Sequence, residues 1–155
     1  MATVVQLREV QESDLPVFFE NQADEAASRL AAVASRDREA FEAHWAKILA
    51  DPATLIRTIV FDGEVAGNVL SFERDGLREL GYWISRAFWG KGIATAAVAA
   101  FLEVDAKRPL HAKVAGDNHG SVRVLEKSGF TLTGSKRVYD DVRDGEIEDR
   151  LYELR

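Results

Sequence analysis

Apolar residues recur along the chain with two periods, and the switches between them mark out the elements. Residues 4–10 read as a first strand. Ser13 then makes an N-cap for a helix over 14–23, with Pro16 tolerated in the first turn and Leu15, Phe18 and Phe19 on the buried side. A second helix, over 37–50, repeats every 3.6 residues in Phe41, Trp45, Ile48 and Leu49, and Asp51-Pro52 stops it. The alanine-rich residues 24–36 between these helices fit helix or loop equally.

Residues 55–61 and 64–73 are β-rich runs joined by Asp62-Gly63, a strong hairpin signal. Asp75-Gly76 leads into a third strand over 78–85, so the three form an antiparallel meander. On that strand Glu79, Gly81, Trp83 and Ser85 share one face while Leu80, Tyr82 and Ile84 share the other. A helix over 92–106 is apolar around most of its circumference, which predicts burial against the sheet. A short strand over 110–115 follows, then a helix to Lys127 closed by Ser128-Gly129, and a last hairpin of strands 130–140 and 146–154 about Asp144-Gly145. Strand, helix and strand with such short connections predict a crossover, with strand 78–85 parallel to strand 110–115.

The stretch Phe88-Trp89-Gly90-Lys91-Gly92-Ile93-Ala94-Thr95 stands where that crossover enters its helix. The first N–H groups of a helix lack internal partners and carry partial positive charge, so a phosphate fits there. Gly90 and Gly92 let the backbone come close to such a ligand, and Lys91 adds a charge or is merely solvated. Neither a P-loop nor a Gly-x-Gly-x-x-Gly is completed, because the third glycine position holds Thr95. Ligands of such sheets bind at the carboxyl ends of the strands, where Gly116-Asp117-Asn118-His119-Gly120-Ser121 also lies.

Composition narrows the class further. A chain of 155 residues with 46% hydrophobic and 30% charged residues predicts one globular domain over 1–155. No apolar run approaches the roughly 20 residues that span a bilayer, and no signal-peptide pattern opens the chain, so a cytoplasmic protein without a membrane partner is expected. The absence of cysteine excludes disulfides and thiolate chemistry. A net charge of −6 argues against nucleic acid as a partner and mildly favours cationic acceptors. Oligomeric state stays open, a homodimer included.

The turn Trp-Gly-Lys-Gly-Ile-Ala-Thr, followed after the next strand by Asn118-x-x-Ser121-x-x-Val124-Leu125-Glu126-Lys127-Ser128-Gly129-Phe130, resembles the GNAT superfamily of N-acetyltransferases. Glu79-Leu80-Gly81-Tyr82-Trp83-Ile84 is similar to the branch containing the ribosomal-protein-alanine acetyltransferases. The resemblance covers nearly the whole chain. It implies an α/β fold with a mostly antiparallel seven-stranded sheet, one parallel pair splayed at the cofactor site and helices on both faces. It also implies acetyl-CoA as co-substrate, with the pyrophosphate on the amides of Trp89, Gly90, Lys91, Gly92, Ile93, Ala94 and Thr95. The pantetheine arm would lie along the strand of Trp83, Ile84 and Ser85, and Asn118 and Ser121 would hold its far end. Two positions depart from the pattern: Ala87 stands where many relatives have Gln or Arg, and Leu125 stands where a tyrosine often protonates the leaving thiolate.

Acetyl transfer to an ammonium first requires its deprotonation, so a carboxylate base is expected. Glu79 is the first candidate, or else a paired surface residue, and Glu73 the second. Ser121 is the candidate for steadying the thiolate, or else a helix-terminal hydrogen bonder, and Tyr139 could supply a phenol from the last hairpin. His44 reads as a helix-surface residue, His111 as packed and His119 as a loop residue, with no metal site among them. The carboxylates of Asp140, Asp141, Asp144, Glu146, Glu148 and Asp149 surround that hairpin, where they either attract a cationic amine or are only solvated. The expected reaction is acetyl transfer to the primary amine of a peptide N-terminus or a small molecule. The alternatives are a non-catalytic acyl-CoA-binding or regulatory module, prompted by Leu125, and a nucleotide-binding domain.

Overall fold

The structure, a computed structural model, describes residues 3–155. Seven strands form one sheet in the order β1-β2-β3-β4-β5-β7-β6, comprising β1 Gln6–Arg8, β2 Leu55–Phe61, β3 Glu64–Arg74, β4 Leu77–Ile84, β5 Leu110–Ala115, β6 Thr131–Asp140 and β7 Gly145–Leu154. Every neighbouring pair is antiparallel except β4 and β5. The helices are α1 Leu15–Ala23, α2 Glu25–Ala31, α3 Arg38–Ala50, α4 Ile93–Val104 and α5 His119–Lys127.

Two cores form because the sheet buries both faces. On one, Ile93, Ala97, Val98 and Phe101 of α4 and Val122 and Leu125 of α5 pack on Leu80, Ile84, Leu110, Ala112 and Tyr152. On the other, Phe18 of α1 stacks 5.0 Å from Trp45 of α3, and both rest on Ile56. The predicted segregation of β4 follows this division, with Leu80 and Ile84 against α4 and Gly81 against Leu70 and Phe72 on the α1–α3 side.

Several expectations are refined. β1 is shorter than 4–10, because the chain leaves the edge to form a 3-10 turn over Glu12–Asp14. Asp14, not Ser13, organises the entry to α1: it is 1% exposed and accepts from Arg8 Nη1 (2.7 Å), the Gln11 amide (2.8 Å) and Thr58 Oγ1 (2.7 Å). Within 24–36, Asp24 caps α2 through the Ala26 amide, and Ala32 in the left-handed region at φ 57° ends it. Asp105 closes α4 two residues before the expected end, because its buried carboxylate is held by Ser71 Oγ (2.5 Å) and Arg78 Nε (2.6 Å).

The parallel pair opens where the site must be. Only Glu79 and His111 are in register between β4 and β5, whereas β5 and β7 stay paired from Leu110 to Ala115. Gly67 holds the end of β4 to β3: a Cβ there would lie 1.9 Å from the Trp83 carbonyl oxygen, so only glycine permits the approach. The gap between β4 and β5 exposes backbone that a sheet would otherwise pair.

Candidate active site

The head of α4 presents a row of unpaired amides. Gly90 and Gly92 take positive φ of 78° and 75°, and the first bond that closes the helix runs from the Ala96 amide to the Gly92 carbonyl (3.1 Å). Among the described residues, the amides of Gly90 through Thr95 donate to no protein group. Trp89 anchors the turn through Nε1 to the Ile84 carbonyl (2.8 Å), and Thr3 Oγ1 donates to the Lys91 carbonyl (2.6 Å). Gly90, Lys91 and Gly92 are exposed, so the positive end of a 12-residue helix faces solvent with its donors free.

A cleft of about 380 Å³ lies between the α1–α3 layer and the β4–β5 gap. Its floor includes Glu79, Gly81, Tyr82 and Trp83 of β4, and Asn118, Ser121 and Leu125 reach it from the α5 side. Backbone alternation decides which groups face the gap. The Ser85 amide donates to the Ala66 carbonyl (2.8 Å) and the Trp83 carbonyl points at Gly67, both toward β3. Tyr82 and Ile84 therefore turn their backbone groups to the open side, and Ile84 already uses its carbonyl for Trp89. Ser85 is further committed through its hydroxyl, which donates to Asn21 Oδ1 (2.7 Å). The edge expected from Trp83, Ile84 and Ser85 is thus offered by Tyr82 and Ile84, with Trp83 supplying a wall.

Behind the gap stands a phenol that pattern reading assigned only to a face. Tyr82 Oη and Ser121 Oγ are 2.5 Å apart. Burial pushes the Tyr82 hydroxyl up from 10.0 to about 12, against the opposing pull of Ser121, so it holds its proton throughout the neutral range. Leu125 is 1% exposed and packed, as its replacement of the expected tyrosine requires. Asn118 caps α5 by accepting from the Ser121 amide (3.4 Å), which fixes Ser121 at the helix start.

Glu79 is 3% exposed rather than at the surface, and Arg74 grips both its oxygens (Nε 2.9 Å, Nη2 2.7 Å). It remains in the cleft lining together with Arg74. His44, expected on a helix surface, also lines the cleft, and burial together with Arg36 and Lys47 lowers its pKa from 6.5, leaving the imidazole neutral at pH 7. Glu73 lies outside the lining and pairs with Arg78 (3.2 Å) on the α4 side. Tyr139 is not brought to the cleft: it is 60% exposed and donates to Asp144 of its own hairpin, which raises its pKa. His111 is buried and meets Glu153 (3.1 Å), while His119 is exposed. Among the described residues no group of three His, Asp or Glu could hold a metal ion.

This arrangement has known counterparts. Residues 5–131 match the family described as Acetyltransferase (GNAT) domain. The chain belongs to that family. This GNAT chain is 32% identical over 108 residues to "Putative ribosomal N-acetyltransferase YdaF" of Bacillus subtilis (strain 168), covering 64% of the chain and 58% of that relative's length. Its fold matches RimL, a ribosomal L7/L12 alpha-N-protein acetyltransferase in complex with coenzyme A, at a TM-score of 0.83 and 20% identity over 99% of this chain and 94% of that one. It also matches the spermidine N-acetyltransferase from Vibrio cholerae in complex with CoA and spermine, at 0.86 and 16% identity over 97% and 94%.

Proposed function

We propose that the protein transfers the acetyl group of acetyl-CoA to a primary amine, on a peptide N-terminus or a small molecule. The observation that carries this reading is the β4–β5 gap, with free amides at the head of α4 on one side and the half-buried hydroxyl pair of Tyr82 on β4 and Ser121 on α5 on the other. The pyrophosphate fits the amides of Gly90 through Thr95, which have no protein acceptor. The pantetheine arm fits the open backbone edge at Tyr82 and Ile84, added like a further strand.

Chemically, the amine nitrogen forms a bond to the thioester carbon and the carbon–sulfur bond breaks. Ser121 gives its proton to the departing sulfur and takes the Tyr82 phenolic proton in turn, which the phenolate recovers from solvent after release. The amine's surplus proton passes to Glu79, the one carboxylate in the cleft lining, with Arg74 fixing its direction. Neutral His44 is the second candidate for that proton, supported by its place in the same lining. A non-catalytic module, suggested by Leu125 alone, is disfavoured because Tyr82 supplies the phenol that position 125 lacks.

A cytoplasmic site of action belongs to the same proposal and is supported by the ribosomal relative from Bacillus subtilis. The test is incubation of the purified chain with acetyl-CoA and a panel of amines, followed by free-thiol release and product mass. Thiol release matched by N-acetylated product supports the reading; acetyl-CoA binding without product from any amine supports the non-catalytic module instead.

A further inference from the structure

The cleft carries a charge pattern unlike that of the molecule. The chain has a net charge of −6, yet none of the hairpin carboxylates expected to draw in a cationic amine lines the cleft. Its ionisable lining residues are Arg36, His44, Arg74, Glu79, Lys113 and Tyr82, the last of which holds its proton at neutral pH. Glu79 and Arg74 neutralise one another through two hydrogen bonds of 2.9 and 2.7 Å. His44 is neutral at pH 7. What remains is positive.

Arg36 and Lys113 have no carboxylate within 4.0 Å among the described residues, and their side chains make no hydrogen bond to protein there. Arg36 is nonetheless placed by its backbone, whose amide donates to Gln22 Oε1 (2.5 Å) and whose carbonyl accepts from Gln22 Nε2 (3.0 Å). Lys113 stands on β5 opposite Leu151. Asp149, which lies one alternation further along β7, is outside the lining; its charge acts on Arg74, and it pairs with neither Arg36 nor Lys113. The phosphates of acetyl-CoA do not account for these two charges. They fit the turn at 89–95, none of whose residues lines the cleft, and the pantetheine and acetyl portions that reach the cleft are uncharged.

We infer that the acceptor is a primary amine that also carries an anionic group, a carboxylate or phosphate, held by Arg36 and Lys113 while its amine faces Glu79. This rests on the acetyltransferase reading above and names its substrate class. A polyamine fits poorly, because its second ammonium finds two cations and a carboxylate already engaged by Arg74.

The test is steady-state acetyl transfer by the full chain to matched probes: amidated Ser-Asp-Asp, Ser-Ala-Ala and Ser-Lys-Lys peptides, O-phosphoethanolamine and spermidine. At least one anionic probe should exceed Ser-Lys-Lys and spermidine in kcat/KM by about tenfold, the scale of two exposed charge contacts. Which anionic probe leads tells a peptide acceptor from a small phosphate- or carboxylate-bearing amine. Lys113→Glu and Arg36→Glu should each reduce or invert the ratio of anionic to cationic probe, and Lys113→Arg should keep it. Both sites are exposed, so the substitutions leave the fold intact, as thermal midpoints will verify. Equal or better use of Ser-Lys-Lys or spermidine by the wild type, or a ratio unmoved in both charge reversals, overturns the inference. Transfer without charge preference overturns it alone, whereas absence of acetyl-CoA binding overturns the acetyltransferase reading beneath it.

Discussion

Replacing Tyr82 by Phe removes one oxygen and leaves the ring that packs between β4 and α5. The lost contacts are the 2.5 Å bond between its hydroxyl and Ser121 Oγ and the longer bond it donates to the Ser121 carbonyl (3.3 Å). A neutral hydrogen bond of this kind contributes about 1 kcal/mol to stability, so the variant should fold with a slightly lower thermal midpoint. Its effect on catalysis should be larger, because a positioned proton donor accelerates such a step by roughly 10² to 10⁴. With Tyr82 acting through Ser121 as proposed, a fall of about 10²-fold in kcat is expected, with the KM for acetyl-CoA little changed. A second signature is alkaline. The folded pKa of about 12 lies above the ordinary 10.0 because burial penalises the phenolate, so stability is full below pH 10 and is lost as pH rises toward 12. At 1.36 kcal/mol per unit the loss is about 3 kcal/mol, and Tyr82→Phe should abolish it. The assay pairs thiol-release kinetics with denaturant unfolding at pH 9 to 12. A folded variant with kcat within about threefold of wild type would reduce Tyr82 to a packing residue.

Three other perturbations probe separate parts of the account. Glu79→Gln should lower kcat by about 10²-fold, whereas a rate kept in Glu79→Gln and lost in His44→Ala would move the base to α3. Burial raises the pKa of Asp14, but bonds from Arg8, Gln11 and Thr58 outweigh it and leave about 2. Stability is therefore full above pH 4 and about 2 kcal/mol should be lost as pH falls through 2, a slope that Asp14→Asn should flatten in acid unfolding. Arg143 joins the last hairpin to α2 and to the Asn118 loop, donating from Nε to the Arg29 carbonyl (2.6 Å) and from Nη2 to the Leu30 carbonyl (2.8 Å) and Asp117 Oδ1 (2.8 Å). Arg143→Ala should cost about 2–3 kcal/mol in denaturant unfolding.

The elements were legible wherever a local signal set them. Asp62-Gly63 fixed the β2–β3 hairpin, the Phe41–Trp45 spacing and the Asp51-Pro52 stop fixed α3, and the paired glycines fixed the head of α4. Local signals failed where a distant partner decides. Ser13 and Asp14 are both good caps, and Arg8 and Thr58 select Asp14. The chain at 24–36 carries no strong period, and its helix rests on Asp24 and a left-handed Ala32. The cleft was the least legible part, since His44, Arg74 and Lys113 come from three elements that only the fold brings together. Tyr82 was assigned the right face, yet its meeting with Ser121 spans 39 residues and has no sequence period. Tyr139 had the right chemistry in the wrong place.

The free amides at the head of α4 carry the central claim, and calorimetric titration with acetyl-CoA tests them most directly. The wild type should bind with micromolar affinity. Gly92→Glu should lose that binding while remaining folded, because it sets a carboxylate among the amides proposed to hold the pyrophosphate and a Cβ 2.9 Å from Thr3 Oγ1. Folded wild type that binds no acetyl-CoA, or a variant that binds as tightly as wild type, would contradict the assignment of this turn and the acetyl transfer built on it.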